Sequence, residues 1–231
     1  MGLMHGMPIA IGYLSVSFAF GIFATESGLS ILEALLISML NATSAGQLAT
    51  VPIIVGGGSY IELALSQLVI NSRYSLMSVS LSQKMGESVR LRDRFLIAFV
   101  NTDEVFAVAS SAHGTVGRKY LYGLIFMPYL GWSLGTLLGA IAGNVLPAIV
   151  ISALGIAIYG MFIAIVIPFA KGSIKGFLCV LLAALLSCVF YYVPAFSVIP
   201  SGFVIIIIAL FVSILFALLF PIDDEEVSEN G

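Results

Sequence analysis

Apolar residues run in long stretches separated by short clusters of Gly, Pro and charged residues. These breaks divide the chain into segments at about 7–24, 30–55, 61–82, 95–112, 120–145, 148–169, 174–194 and 200–221. Runs of roughly 17–26 residues rise far enough, at about 1.5 Å per residue, to cross a hydrocarbon core about 30 Å thick. The pattern predicts an all-α membrane protein, a polytopic helical bundle with six to eight membrane segments. It leaves no room for a soluble domain, so residues 1–231 are expected to form one membrane domain ending in an acidic tail at 222–231.

Two segments break the pattern. Asn41-Ala-Thr-Ser-Ala-Gly-Gln47 interrupts 30–55, and Asn101-Thr102-Asp103-Glu104 occupies the middle of 95–112. Irregular polar backbone is tolerated at membrane depth only where it is buried in protein or lines a cavity, so these segments are expected to be broken or re-entrant. A shift of 60 residues lays Ile37-Ser-Met-Leu-Asn41 over Ile97-Ala-Phe-Val-Asn101 and Tyr60 over Tyr120, suggesting an inverted repeat of the kind that surrounds a midplane site. Pro52 and Pro128 lie inside segments and are expected to kink or interrupt them, whereas the other prolines mark ends.

Composition agrees: 60% of the residues are hydrophobic and 9% charged, against about 45–50% and about 25% in soluble domains. Lipid must therefore solvate most of this surface. The first run, from Met7 to Ala24, lacks a basic leader and an evident cleavage site and reads as a retained membrane segment. Cys179 and Cys188, inside an apolar run, read as small buried hydrophobes rather than as a disulfide or metal pair.

Of nine Lys and Arg residues, Lys84, Arg90, Arg92 and Arg94 share one loop, Arg118 and Lys119 a second, and Lys171 and Lys175 a third. The positive-inside rule puts these loops, and the acidic tail, in the cytoplasm of a cell whose cytoplasmic membrane holds the protein. Only 95–112 separates the first basic loop from the second, which one simple crossing cannot satisfy. The uncharged connections near 25–29 and 56–60 leave two topologies open: 30–55 spans, giving seven crossings and an outside N-terminus, or turns back, giving six and an inside one.

Arg73 lies about 18 Å into its segment, near the bilayer middle, where an arginine costs at least about 2.5–3.5 kcal/mol and needs a partner. That partner is Asp103 or Glu104, or a substrate carboxylate, which the planar guanidinium suits. Gln67, Asn71, Tyr74, Ser75, Ser78 and Ser82 form a polar stripe on the same segment, so it is central rather than lipid-facing. Asp103 and Glu104 diverge by about 100° on a helix; one can neutralise Arg73 while the other carries a proton or meets an ammonium. Gly131, Gly135, Gly139 and Gly143 make a smooth face for close helix packing. No HExxH, CxxC, Walker or GxSxG motif appears, so neither an enzyme nor a metal or other cofactor is expected, and nothing points to nucleic acid.

The motifs Met7-Pro-Ile-Ala-Ile-Gly12, Gly28-Leu-Ser-Ile-Leu-Glu33-Ala, Ala45-Gly46-Gln47, Asn71-Ser-Arg73-Tyr74, Thr102-Asp103-Glu104-Val-Phe106 and Trp132-Ser-Leu-Gly135-Thr136 resemble the AzlC (YgaZ-like) family, the large subunits of branched-chain amino acid permeases and exporters. The resemblance runs from Pro8 to about Gly143. It implies a secondary transporter that exports branched-chain or other apolar amino acids together with a small AzlD-like membrane subunit. In that setting Arg73, Asn71, Asn41, Ser44, Gln47 and Asn101 are the candidate substrate-binding residues, and Asp103 or Glu104 the proton-coupling or ammonium-binding group. A small-solute channel, or a structural subunit serving an active partner, are the alternatives.

Overall fold

The computed structural model describes residues 1–143, 145–147, 149, 160, 163, 166–168 and 170–220. The expected segment 148–169 lies largely, and the acidic tail wholly, outside the described residues. Helices α1 (Gly2–Glu26), α2 (Ile31–Leu40), α3 (Ser44–Val55), α4 (Tyr60–Lys84), α5 (Leu91–Phe99), α6 (Asp103–Ser111), α7 (Arg118–Gly143), α8 (Ile174–Tyr192) and α9 (Ser201–Leu219) follow in chain order, with a 3-10 turn at Pro194–Phe196. Four of them, α1, α7, α8 and α9, are long and apolar enough to cross a membrane by length and composition. This is an all-α membrane protein. The described chain divides into two compact units, Met1–Gly57 with Ile70–Tyr159, and Gly58–Val69 with Gly160–Gly231.

The first unit is built on a parallel pair, α1 against α7. Gly2 meets Tyr120, Ala10 meets Gly131, Phe18 meets Gly139 and Thr25 meets Gly143, so the two helices run side by side in the same direction. A methyl group on Gly131, Gly135 or Gly139 would collide with the backbone oxygens of Ala10, Leu14 or Phe18. Backbone approaches backbone here, and only glycine allows it. Pro8 and Pro128 both lie within these helices, and Pro52 lies within α3, without ending them. Of the two outcomes expected for Pro52 and Pro128, a kink or an interruption, interruption does not occur: both helices continue through the proline, since neighbouring helices and side chains can take up the groups a membrane proline frees.

Segments 30–55 and 95–112 are each broken into two half-helices. In the first, Asn41 (φ −140°, ψ 82°) and Thr43 (φ −144°, ψ 123°) leave helical geometry; in the second, Val100 (φ −116°, ψ 20°) and Thr102 (φ −80°, ψ 172°) do. Asn and Thr are weak helix formers whose polar groups compete for backbone partners. The breaks are narrower than the polar runs suggest. Ser44 to Gln47 already belong to α3, and Asp103 and Glu104 form the first turn of α6, because polar and acidic residues suit exposed N–H groups at a helix start.

The second break reverses the chain. Met85 bridges Val116, the Lys84 ammonium donates to the Ser110 carbonyl, and the Arg118 N–H donates to Ser88 Oγ at 3.1 Å. A straight run from Leu91 to Ser111 would separate those ends by about 30 Å; instead α5 and α6 form a hairpin that returns to its origin. The first break also reverses. Gln47 of α3 donates to Ser38 of α2, and Val51 shares an apolar cluster with Leu29 and Ala34.

The α2–α3 hairpin starts beside the C-terminal ends of α1 and α7, and the α5–α6 hairpin beside the N-terminal end of α7, so they enter the unit from opposite ends. The offset of 60 residues noted in the sequence extends to their starts. Glu33 and Asp93, each the third residue of its half-helix, accept the N–H of Ser30 and Arg90 at 2.7 and 2.9 Å.

In the second unit α8 and α9 are antiparallel, with the Lys175 ammonium over the Phe220 ring. Glu62 is 2% exposed and accepts the Gly202 N–H at 2.8 Å at the start of α9. Cys179 and Cys188 are free, but Cys188 is exposed on the chain's surface rather than buried, on a helix that presents most of its side chains outward.

Candidate functional site

The two hairpin tips meet beside α4. Asn41 and Thr43 of the first, Asn101 and Thr102 of the second, and Asn71 and Tyr74 of α4 line a cavity of about 170 Å³. Leu40, Ala42, Ala98 and Phe99 supply its apolar wall. α4 places the site by length: Ser78, which accepts a hydrogen bond from Asn101 Nδ2 at 3.1 Å, lies about 9 Å from Lys84 along the helix, and Arg73 about 16 Å. The tips thus reach roughly halfway through the unit.

A charged relay borders this cavity. Arg73 Nη2 contacts Asp103 Oδ2 at 2.8 Å and donates to the Tyr74 hydroxyl at 3.0 Å, with its guanidinium carbon 4.8 Å from the Tyr74 ring centre. The Tyr74 hydroxyl in turn lies 3.4 Å from Thr43 Oγ1, linking the second hairpin through α4 to the first. Both members of the ion pair are about half exposed, so the pair is accessible and its net contribution to stability is small. Glu104 points elsewhere, accepting a hydrogen bond from Tyr13 of α1, whose hydroxyl also lies 2.6 Å from Thr102 Oγ1. Tyr13 packs edge-on against Trp132 of α7, ring centres 5.0 Å apart.

The residues singled out in the sequence separate into three groups. Asn41, Asn71 and Asn101 line the cavity, and Arg73, Asp103 and Glu104 flank it. Gln47 is fully buried behind the first tip in a chain with Ser38 and Thr136, and Ser44 opens α3 without lining the cavity. Gly131, Gly135, Gly139 and Gly143 face α1. Tyr13, Thr43 and Tyr74 were not among the candidate site residues. Tyr74 is on the polar stripe beside Arg73, and Tyr13 stands 60 residues before Arg73, at the matching point of the repeat.

Broken hairpins that enter from opposite ends and meet at a polar cavity define a membrane protein with a built internal site. The family model described as AzlC protein matches residues 8–146, more than half of the sequence. The chain belongs to the AzlC family. It is 34% identical to an uncharacterized membrane protein of Archaeoglobus fulgidus over 74% of this chain and 75% of that protein. It is 30% identical to the inner membrane protein YgaZ of Escherichia coli over 84% and 82%. No solved structure matches. Among the described residues no group of His, Cys, Asp or Glu is arranged to hold a metal ion.

Proposed function

We propose that this chain is the large subunit of a secondary transporter that exports branched-chain or other apolar amino acids across the cytoplasmic membrane, coupled to protons. Family membership supports transport rather than catalysis. The observation that carries the reading is the meeting of both hairpin tips at one polar cavity beside an accessible arginine–carboxylate pair. Such a constellation holds itself together when empty and exchanges partners when a zwitterion arrives. The substrate carboxylate takes the Arg73 fork, its ammonium takes Asp103, and its side chain lies against Leu40 and Phe99. An apolar wall separates homologues by only about 1–3 kcal/mol per methylene, so leucine, isoleucine, valine and methionine should compete. Glu104, held by Tyr13, is the proton carrier in this reading.

The basic residues between 84 and 94 and those at 118–119 share one end of the first unit. The positive-inside rule favours a cytoplasmic location for that end, and with it the start of α1. That choice goes with the six-crossing topology, in which both hairpins turn back.

The test is leucine efflux from loaded cells expressing the chain with and without a small AzlD-like subunit. Saturable efflux that requires both chains and slows when the proton gradient is collapsed is the expected result. Efflux that rises linearly with concentration and ignores the gradient would make it a channel, and leucine binding by the partner alone would make this chain a structural subunit.

A further inference from the structure

The polar stripe of α4 outruns the central cavity. Asn71 and Tyr74 line that cavity, but Ser78 and Ser82, further along the same face, line a second one of about 290 Å³ between α4 and α5. It extends from Asn101 at the hairpin tip to Met85, Leu91 and Arg94 at the basic end, about 10 Å along α4. Ala98 and Asn101 belong to both cavities. The hydrogen bond from Asn101 Nδ2 to Ser78 Oγ stands at their junction.

Asn101 is 3% exposed, and its Oδ1 receives no donor from the protein. Leaving a buried acceptor in that state costs about 1–3 kcal/mol, a cost that a polar group passing the junction would relieve. At the outer end Arg94 Nη1 reaches the Ser82 carbonyl at 3.3 Å, a long contact that a carboxylate would readily replace. Ser78 and Ser82 put two hydroxyls into an otherwise largely apolar lining, with Val79 and Leu81 beside them on α4 and Leu91, Phe95 and Ile97 facing them from α5. That is the lining an amphipathic zwitterion needs, with its head along the serines and its side chain along α5.

We propose that this second cavity is the access route between the central cavity and the basic-loop end, with Asn101 as the polar checkpoint at its inner limit and Arg94 as the residue that draws carboxylates to its mouth. The proposal rests on reading the central cavity as the solute site.

Thiol accessibility tests it in oriented vesicles, on the full chain carrying Cys179→Ser and Cys188→Ser. Ser78→Cys and Ser82→Cys sit on the route; Leu76→Cys, three-quarters exposed on another face of α4, is the lipid-facing control; Arg90→Cys marks the basic face. A charged, membrane-impermeant methanethiosulfonate should modify both route positions at least about tenfold faster than Leu76→Cys, since a thiol facing water ionises and one facing lipid does not. It should do so from the face that labels Arg90→Cys. Asn101→Ala should then hasten modification of Thr43→Cys from that face. Route positions no more reactive than the control, or labelled only from the opposite face, overturn the proposal whether or not leucine is transported. Fast labelling that leucine fails to slow leaves the route standing and counts instead against amino acids as its cargo.

Discussion

Ser38, Thr43 and the Met39 carbonyl of the α2–α3 hairpin meet Thr136, Tyr74 and Tyr129, and Gln47 donates to Ser38 within the hairpin, all of these groups being uncharged. In the α5–α6 hairpin the corresponding ties are Asp103 to Arg73, Glu104 to Tyr13, Asp93 to Arg118, and Lys84 to the Ser110 carbonyl. The starts differ likewise, since Glu33 is exposed whereas Asp93 is buried and additionally accepts the Tyr122 hydroxyl at 2.8 Å. Two halves of one repeat have thus been given different chemistry. Neutral hydrogen bonds hold a fixed geometry at any ordinary pH; charged ties can be exchanged for a zwitterion or a proton. Under the proposed function, the first hairpin would be the static wall of the cavity and the second its responsive one.

The largest effect should come from removing what both hairpins share. Gly139 lies against the Phe18 backbone, so Gly139→Leu must force α1 and α7 apart. Overpacking typically costs about 1–3 kcal/mol and more where backbone meets backbone. Both hairpins should lose their support together, read as loss of the monodisperse detergent-extracted protein. A fully assembled Gly139→Leu protein with normal transport would show that the parallel pair is not the common scaffold.

Arg73→Ala should leave assembly intact, because the half-exposed ion pair adds little stability. Transport should nevertheless fall by at least about tenfold, since a charge-assisted hydrogen bond to substrate is worth about 1.5–3 kcal/mol. Arg73→Lys keeps the charge and loses the bidentate fork, and should restore little. The matching change in the neutral hairpin, Gln47→Leu, should do the reverse, lowering thermal stability modestly while sparing transport. Normal leucine efflux by a well-expressed Arg73→Ala protein would remove the carboxylate anchor from the mechanism.

Much of this was legible in the residues alone. Polar runs inside apolar segments marked both breaks, because such backbone can persist at depth only around a cavity. The basic residues clustered at 83–94 and 113–119, on either side of 95–112, pointed to a segment that turns back rather than one that crosses against the charge bias. Arg73 announced a partner by its cost at depth, and Asp103 is that partner. Hidden from one dimension was whatever depends on which helices are neighbours. The glycine face of α7 could have met any helix, and it meets α1. Tyr13 carries one hydroxyl in an apolar run, a pattern shared by many membrane tyrosines, and only the fold brings it to Glu104. The exact ends of the breaks were also hidden, since Asp103 and Ser44 are as compatible with a helix start as with a gap.

The smallest effect gives the finest comparison, because α7 reaches each hairpin with one tyrosine hydroxyl. Tyr129 donates to the Met39 carbonyl at 3.1 Å, and Tyr122 donates to the Asp93 carboxylate at 2.8 Å. Tyr→Phe removes the same atom in both places and leaves the ring packing alone. A neutral hydrogen bond contributes about 0.5–1.5 kcal/mol and one to a charged group about 1.5–3 kcal/mol. Tyr122→Phe should therefore lower the thermal midpoint in detergent more than Tyr129→Phe. The Asp93 site also contains Arg118, about 40% exposed, so part of its strength is open to salt. Raising ionic strength should lower the midpoint of Tyr122→Phe, where Arg118, Arg92 and the Arg90 N–H must hold the carboxylate without the tyrosine, and leave that of Tyr129→Phe unchanged relative to the parent protein. Equal losses with equal indifference to salt would mean that the two hairpins are tied alike, and that the contrast in their charges has no consequence for how firmly each is held.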